Sequence, residues 1–438
     1  MRLLLFLFIF ILTTISVNAQ NNLLQAGPMS GYITFREAAI WVQTTESAKV
    51  SAVLWSVEQP NNKKRTIPII TGRDNGFTAT LIAEDLLPGT TYNYQLEINN
   101  EPVELEYTST IKTPKIWQWR EQPPAFSLLT GSCLYVSEKA FDRPGKPYGG
   151  DYQILQNMAK QDAQLMLWLG DNTYYREVDW DSKTGIYYRN THTRSLPELQ
   201  PLLSKMQHYS IWDDHDFGSN DAVGSFYNKK LTLEAFKDFW ANPNYDISGG
   251  TGISGQFSYN DIDVFMLDNR WNRTPIYDSA KGKILGKKQL NWLMSSLKNS
   301  HASFKLIMVG GQFLNPNKVY ENMANYPEER QKLIDFIKDE QIMNVVFLTG
   351  DRHHSEVSEM ELSETHSIFD ITASPITSKA HKKVKEENKF RIKGSLIKER
   401  NYAKLSFSGK LKKRVLKIEF FDSENKPLFE HTILQQRL

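Results

Sequence analysis

The sequence has 438 residues, of which 40% are hydrophobic and 12% aromatic, and its formal net charge is +2 at pH 7. This length is enough for two or three domains with cores of their own, and the composition is that of a globular rather than a disordered chain. A charge near neutrality gives no reason to expect a nucleic-acid-binding patch or an anionic membrane as partner. Function must therefore be sought in a local site.

The N-terminus has the pattern of a secretory signal peptide. Arg2 precedes an apolar run from Leu3 to Leu12, and the small-x-small pattern from Val17 to Ala19 comes before Gln20. The run is too short to span a bilayer comfortably, and the small residues are typical of a cleavage site. We interpret residues 1–19 as a signal peptide and expect an exported protein, periplasmic or extracellular, with no membrane span after cleavage. An uncleaved membrane anchor is the less favoured alternative.

Residues 20–114 alternate in short strand-like runs separated by turn residues, without a helical period. This pattern predicts an all-β sandwich of fibronectin or immunoglobulin type. Nothing in it indicates catalysis, so we expect a packing or interaction module. Pro114, Pro123 and Pro124 then mark a short linker.

From residue 125 to residue 438 strand-like and helical patterns alternate, which predicts a layered α/β domain. After Tyr402 the pattern returns to strand alternation, and we expect this tail to add edge strands to the same domain. Basic residues cluster between Lys379 and Lys417, but acidic residues are interleaved with them, so a solvated surface is favoured over a binding patch.

Four polar segments of this second domain each follow an apolar run that predicts a buried strand. They are Gly131–Cys133, Gly170–Tyr174, Trp212–Asp216 and Gly350–Ser355. Strands that end at one edge of a sheet bring such segments together, which is where open α/β folds hold their ligands. Carboxylates packed closely repel one another unless a cation lies between them. The sequence therefore predicts a metal centre with more than one ion.

Three residues of the first two segments are candidate metal ligands. The two oxygens of Asp171 can bridge a pair of cations, and Tyr174 can bind a strong Lewis acid as a phenolate. Cys133 is the only cysteine, so it cannot form an internal disulfide. A thiolate is a strong ligand for iron or zinc, whereas a buried core cysteine is the simpler alternative.

The other two segments add acids and imidazoles. We expect Asp214 to bind a second metal and His215 to face the substrate, where it can neutralise developing charge or protonate a leaving oxygen. An acidic surface loop is the alternative. Asp351 and His353 project to the same side of an extended loop and can ligate one cluster, while His354 is expected to pack or to support the site.

Arg270 follows another predicted strand end. Its planar guanidinium suits phosphate oxygens, although an ion pair with Asp268 is an equally good interpretation. Gln312 is expected to support the site without binding metal.

The four polar segments and the strand end at Arg270, in their order along the chain, resemble the motifs of the PhoD-like alkaline phosphatases. These are secreted metallophosphoesterases related to purple acid phosphatases. The resemblance spans Phe126 to Thr377, includes Leu285 to Leu293, and extends to a sandwich ahead of the second domain. It implies a layered αββα metallophosphoesterase domain. It also implies hydrolysis of phosphomonoesters and phosphodiesters by metal-activated hydroxide at a centre of Fe³⁺ and Ca²⁺.

The resemblance also implies residue roles. Iron would be held by Cys133, Asp171, Tyr174 and His353, and calcium by Asp171, Asp214 and Asp351. His215 and Arg270 would be catalytic residues near the phosphate, and Asn172 and Asn220 would bind substrate. Well-known members are exported by a twin-arginine signal, but Arg2 stands alone, so we expect export in an unfolded state with metals acquired afterwards.

Two alternatives to a general phosphoester hydrolase remain. A phospholipase-type phosphodiesterase would need a wide apolar mouth beside the site. A non-enzymatic binding protein with a structural metal would need closed coordination, which conflicts with His215 and Arg270 facing a substrate. We expect a monomer acting on a phosphoester.

Overall fold

The computed structural model describes residues 23–107, 109–250, 252–276 and 282–437. The predicted signal peptide, residues 1–19, lies outside the described residues. None of the helices in the described ranges combines the length and the hydrophobicity that a bilayer crossing requires.

The N-terminal domain is built from strands alone, apart from one short 3₁₀ turn. Its strands are β1 (Leu24–Ile33), β2 (Ala38–Thr44), β3 (Lys49–Ser56), β4 (Gln59–Arg65), β5 (Ile69–Ile70), β6 (Thr78–Ala83), β7 (Thr91–Ile98), β8 (Glu101–Pro102) and β9 (Thr110–Lys112). One sheet has the order β1-β2-β6 and the other β4-β3-β7-β8, with β5 on β3 and β9 on β7. Residues of both sheets share one core. The predicted sheet-rich domain is confirmed, while its fibronectin or immunoglobulin type stays a prediction.

The second domain contains two six-stranded mixed sheets. Its strands are β10 (Phe126–Gly131), β11 (Leu165–Leu169), β12 (Gln207–Ile211), β13 (Gly255–Tyr259), β14 (Ile262–Met266), β15 (Phe304–Val309), β16 (Val345–Thr349), β17 (Glu356–Ser363), β18 (His366–Thr372), β19 (Asn401–Ser408), β20 (Val415–Asp422) and β21 (Pro427–Leu434). The first sheet has the order β12-β11-β10-β19-β20-β21 and the second β13-β14-β15-β16-β18-β17. The strands β10, β11 and β12 are parallel, as are β14, β15, β16 and β18.

The C-terminal tail joins the first sheet, as expected, but not only at its edge. Strand β19 pairs antiparallel with β10 on one side and β20 on the other, so only β21 is an edge strand. The expectation that the whole tail forms edge strands is wrong. The physical reason is that β10 pairs with β11 on one side only, and the ladder groups on its other side need a partner.

The two sheets face each other across a shared core. Aromatic rings cross between them, with 5.6 Å between the ring centroids of Phe304 and Phe407 and 5.0 Å between those of Phe126 and Tyr259. Along β16, Val346 and Leu348 belong to this central core, while the alternate residues Val345 and Phe347 face a second core. Both faces of β16 are therefore buried, which explains its continuous apolar run.

Helices connect the strands of this domain. They are α1 (Gln153–Ala159), α2 (Lys183–Arg194), α3 (Gln200–Lys205), α4 (Asp214–Phe217), α5 (Lys229–Phe239), α6 (Lys287–Asn299) and α7 (Pro327–Asp339). Helix α6 contributes Leu290, Leu293 and Leu297 to the second core, at the spacing of one helical face. Helix α7 begins with Pro327 at its first position, where the absent N–H leaves no hydrogen bond unmade.

Candidate metal centre

The residues that follow the parallel strands turn into the site with left-handed backbone. The φ angles are 61° at Cys133, 53° at Asp171, 67° at Asp351 and 52° at His353. Residues other than glycine rarely adopt this conformation, and where they do it is concentrated at functional sites. All of these residues were predicted as metal ligands, and the structure brings all of them to the same edge.

The first group of ligand atoms surrounds Asp171. Its Oδ2 lies 3.5 Å from Sγ of Cys133 and accepts a hydrogen bond of 3.0 Å from the phenol of Tyr174. The same phenol lies 3.4 Å from Nε2 of His353. Ligand atoms of Cys133, Asp171 and His353 all lie within 4.8 Å of one another, a spacing that a single cation can bridge.

A second group of acids lies beside the first. Ligand atoms of Asp213, Asp214, Glu321 and Asp351 lie within 4.8 Å of one another, and a third set of Asp171, Asp214 and His215 connects the two groups. Asp351 and His353 thus belong to adjacent groups rather than to one. The spacing of the groups is consistent with more than one ion.

The structure places Arg270 differently from what we expected. Its guanidinium is fully buried, and it donates hydrogen bonds of 2.7 Å to Asp213 and 2.8 Å to Glu321. The predicted ion pair with Asp268 is wrong, because Asp268 accepts the backbone N–H of Arg270 instead. The guanidinium also is not free to face a substrate, since neighbouring carboxylates occupy its donors; a phosphate contact stays a prediction that would require these pairs to rearrange.

Without a bound cation, burial and mutual repulsion make it unfavourable for the acids of this cluster to ionise together. Burial, with the charge of Asp214 next in importance, raises the pKa of Asp171 well above its ordinary value. Burial followed by Asp213 raises the pKa of Asp351 in the same way, and burial also raises the pKa of the Cys133 thiol. A cation between these groups would reverse each of these shifts, because it favours the ionised form.

Asp214 behaves differently from its neighbours. Burial alone would raise its pKa, but His215, Arg270 and the backbone N–H of Asp221 together hold the pKa well below its usual range. Its Oδ2 accepts the Asp221 N–H at 2.7 Å, and its Oδ1 has no hydrogen-bond partner among the described residues. Asp214 is therefore held in its ionised form, and its Oδ1, which accepts no hydrogen bond among the described residues, lies 3.8 Å from the Arg270 guanidinium.

Further buried acceptors at the same place also lack partners within the described ranges. They are Oδ2 of Asp213 and Oδ1 of Asn172. Native structures leave few buried polar groups unsatisfied, so a concentration of acceptors in one place calls for something that binds acceptors. A cation does, and the donor set of thiolate, phenolate, imidazole and carboxylate suits a transition metal together with a harder, oxygen-preferring ion.

The predicted substrate contacts divide into two kinds. Asn172 is buried, and both donors of its amide are used on strand β12, on Ser210 at 3.0 Å and on the Ile211 carbonyl at 2.8 Å. It has no donor left for a substrate. Asn220 and His215 line a pocket beside the cluster, and the His215 side chain keeps 21% of its surface exposed. Substrate binding by Asn220 stays a prediction, and the structure gives it room.

Surrounding residues orient the ligands. The backbone carbonyl of Lys379 lies 2.8 Å from Nδ1 of His353, which leaves Nε2 directed at Tyr174. Ser374 donates its hydroxyl to Sγ of Cys133 at 3.2 Å and accepts the backbone N–H of His353 at 2.9 Å. Such contacts fix the orientation of metal ligands. Gln312 donates hydrogen bonds to Glu356 and Thr372, and its supporting role stays a prediction.

Sequence reasoning missed several residues of the site. Asp213 lies inside a motif that was recognised, but its neighbour Asp214 was preferred. Glu321 follows no predicted strand, and only the folded chain brings it to Arg270. Tyr148, whose phenol lies 3.2 Å from Nδ1 of His353, had no signal either, because it stands in a long loop rich in glycine and proline.

Two mixed sheets packed face to face, with acids, imidazoles, a thiol and a phenol gathered at one edge, define a metal-binding protein of the metallophosphoesterase class. A model of the PhoD-like phosphatase family matches residues 132–419, and the chain belongs to that family. The N-terminal domain matches a family described as a domain of unknown function, DUF7800, over residues 21–116.

Individual relatives agree with this assignment. Alkaline phosphatase D of Bacillus subtilis (strain 168) is 26% identical over 344 residues, which cover 67% of this chain and 55% of the relative. The solved structure of PhoD has a TM-score of 0.73 at 17% identity, covering 93% of this chain and 90% of that one. A purple acid phosphatase from yellow lupin (Lupinus luteus) seeds has a TM-score of 0.69 at 12% identity, over 93% and 74% of the two chains. These structures share the fold, and the family match supports a metal-dependent phosphoesterase.

Proposed function

We propose that this protein is an exported, metal-dependent phosphoester hydrolase of the alkaline phosphatase D type, acting on phosphomonoesters, phosphodiesters or both. The main support is the convergence of Cys133, Asp171, Asp214 and His353 from distant parts of the sequence onto two adjacent groups of ligand atoms that share Asp171. The phenol of Tyr174 lies between Asp171 and His353. An opening beside that cluster leaves room for a substrate. A closed structural metal site would have no such opening.

The donor sets divide between two kinds of ion. We assign Fe³⁺ to the group of Cys133, Asp171, Tyr174 and His353, since it contains the thiolate and phenolate. We assign Ca²⁺ to the carboxylates of Asp171, Asp214 and Asp351, because calcium prefers oxygen ligands. When bound, these ions supply positive charge for the phosphate and lower the pKa of a coordinated water.

The chain itself positions the ester and stabilises its charge. His215 contacts the ring of Tyr174 at 4.2 Å between centroids, and its Nδ1 has no partner among the described residues. It can therefore donate a hydrogen bond to a phosphate oxygen or to the leaving oxygen. Arg270 and Arg273 both pair with Glu321. The positive charges of these two arginines offset the negative charges of the acids beside the position proposed for the phosphate.

The experiment is hydrolysis of p-nitrophenyl phosphate and bis-p-nitrophenyl phosphate by the purified mature protein at alkaline pH. We expect turnover of at least one of the two substrates and loss of that turnover after treatment with a strong chelator. Activity that survives complete removal of metal would overturn the proposal. Trp119→Ala, at a fully exposed linker residue, serves as the control variant and should behave as the wild type.

A further inference from the structure

A pocket lined by aromatic rings opens directly from the metal centre. It has a volume of about 330 Å³, and its lining includes the phenol of Tyr174 and the imidazole of His215. Beyond these residues the walls are formed by Tyr135, Tyr148, Phe141 and Trp180. The size lies within the range of pockets that bind small molecules.

The inner wall is a continuous series of rings. The centroid of Tyr135 lies 4.9 Å from that of Tyr174 and 4.9 Å from that of Tyr148. On its other side Tyr135 is held by Arg176, whose guanidinium carbon lies 4.1 Å from the ring centroid. Asp142 accepts hydrogen bonds of 2.8 Å from both the Tyr135 phenol and the Arg176 guanidinium. The wall is thus fixed in place before a ligand arrives.

The mouth of the pocket is formed in part by aromatic rings that are not fully buried in the core. The side chain of Phe141 is 39% exposed, and Trp180 is only partly buried. Exposed side chains of Arg143 and Lys146 stand at the same mouth. Glu177 lines the same pocket and lies 3.8 Å from the Arg143 guanidinium, so the entrance combines aromatic surface with charges of both signs. The rings suit a ligand that bears a flat apolar group.

We infer that this pocket binds the alcohol portion of the substrate and selects phosphoesters of alcohols that carry a flat aromatic or heteroaromatic group over those of small aliphatic polyols. The inference rests on the proposed function. An aromatic ring placed between Tyr135 and Phe141 would form stacking contacts with them. A small polyol would leave the surface of these rings in contact with water and would gain little binding free energy from them. Phe141 is then a specificity-determining residue that does not touch the metal ligands.

The test compares benzyl phosphate with 2-hydroxyethyl phosphate. Both are esters of aliphatic alcohols, so the intrinsic reactivity of the leaving group differs little between them. We expect kcat/KM for the benzyl ester to exceed that of the polyol ester by about tenfold or more. Phe141→Ala and Phe141→Leu should lower this ratio about fivefold, mainly by raising KM for the benzyl ester. Trp119→Ala, at an exposed aromatic residue of the linker that does not line this pocket, should leave the ratio unchanged.

A second readout does not depend on turnover. Binding of benzylphosphonate and ethylphosphonate, followed by intrinsic tryptophan fluorescence, should favour the benzyl compound in the wild type and less so in the Phe141 variants. If neither ester nor bis-p-nitrophenyl phosphate is hydrolysed but benzylphosphonate still binds better, the proposed function fails and the selectivity of the pocket stands. If both esters are hydrolysed with equal kcat/KM and the Phe141 variants change nothing, the inference is overturned and the proposed function stands.

Discussion

The phenol of Tyr174 donates a hydrogen bond of 3.0 Å to the same oxygen of Asp171 that lies 3.5 Å from the thiol of Cys133. Burial raises the pKa of Tyr174 well above its ordinary value, and the charges of Asp171 and Cys133 add to this effect. Only a strong Lewis acid would make a phenolate favourable in this position. The pair thus links the protonation of Tyr174 to the metal that the site holds.

Tyr174→Phe should remove one ligand and leave the fold in place. If the ion is Fe³⁺, the wild type should show a visible phenolate-to-iron absorption band that the variant lacks. We also expect weaker iron retention on dialysis against a chelator, by at least the roughly 10- to 100-fold in affinity that loss of a contact supporting a ligand costs. An unchanged visible spectrum in the variant would contradict the role of the phenol as a ligand.

His215→Ala should keep the metals and lose most of the turnover. A residue that donates to the phosphate or the leaving oxygen contributes of order 10²-fold or more to kcat. The measurement is kcat with p-nitrophenyl phosphate together with metal content by elemental analysis. Normal turnover at normal metal content would show that His215 has no direct role.

The variant Arg270→Met distinguishes two roles of Arg270, the predicted contact with the phosphate and the observed ion pairs with buried acids. Breaking this fully buried pair leaves Asp213 without its cationic partner, while Glu321 keeps Arg273, and should cost about 3–5 kcal/mol in the free energy of unfolding. The measurement is urea unfolding of chelated protein. Adding Asp213→Asn to Arg270→Met should recover part of that loss. Unchanged stability together with lost turnover would instead favour a contact of Arg270 with the phosphate.

The raised pKa of Asp216 predicts that the free energy of unfolding of the chelated protein depends on pH. Burial raises its pKa from 3.8 to about 7, although it accepts backbone N–H groups of Asn172, Thr173 and Asp213. The unfolded chain therefore releases this proton first, and the free energy of unfolding falls as pH rises from about 4 to about 7, by at most ~1.4 kcal/mol per pH unit. Asp216→Asn, which does not titrate, should show a smaller slope in urea unfolding between pH 5 and 7. Identical slopes would remove Asp216 as the cause.

The strand ends of the site could be predicted from the sequence because each apolar run is buried on both faces and each is followed at once by its ligands. Strands β10, β11, β12 and β16 lie where those runs predicted them, to within a few residues. The order of the motifs then placed Cys133, Asp171, Asp214 and His353 at one edge. At these positions the apolar run in the sequence and the strand in the structure coincide, so the ligands could be placed correctly.

The charge balance of the site could not be predicted in the same way. Whether Arg270 faces solvent or its own acids depends on Glu321, which lies 51 residues further along the chain. No local pattern marks that pairing, because it arises only when the loops after β14 and β15 pack together. The aromatic pocket was missed for the same reason, since Tyr135, Phe141 and Tyr148 lie in a loop without regular periodicity.

The most direct measurement is the metal content and phosphoester hydrolysis of the wild type, Asp171→Asn and Asp263→Asn, all purified alike. Asp263 provides the matched control, because it lies near the start of β14, at the opposite end of the strand from the site. We expect bound metal and hydrolysis in the wild type and in Asp263→Asn, and loss of both in Asp171→Asn. Metal content and turnover in Asp171→Asn equal to those of the wild type would contradict this expectation.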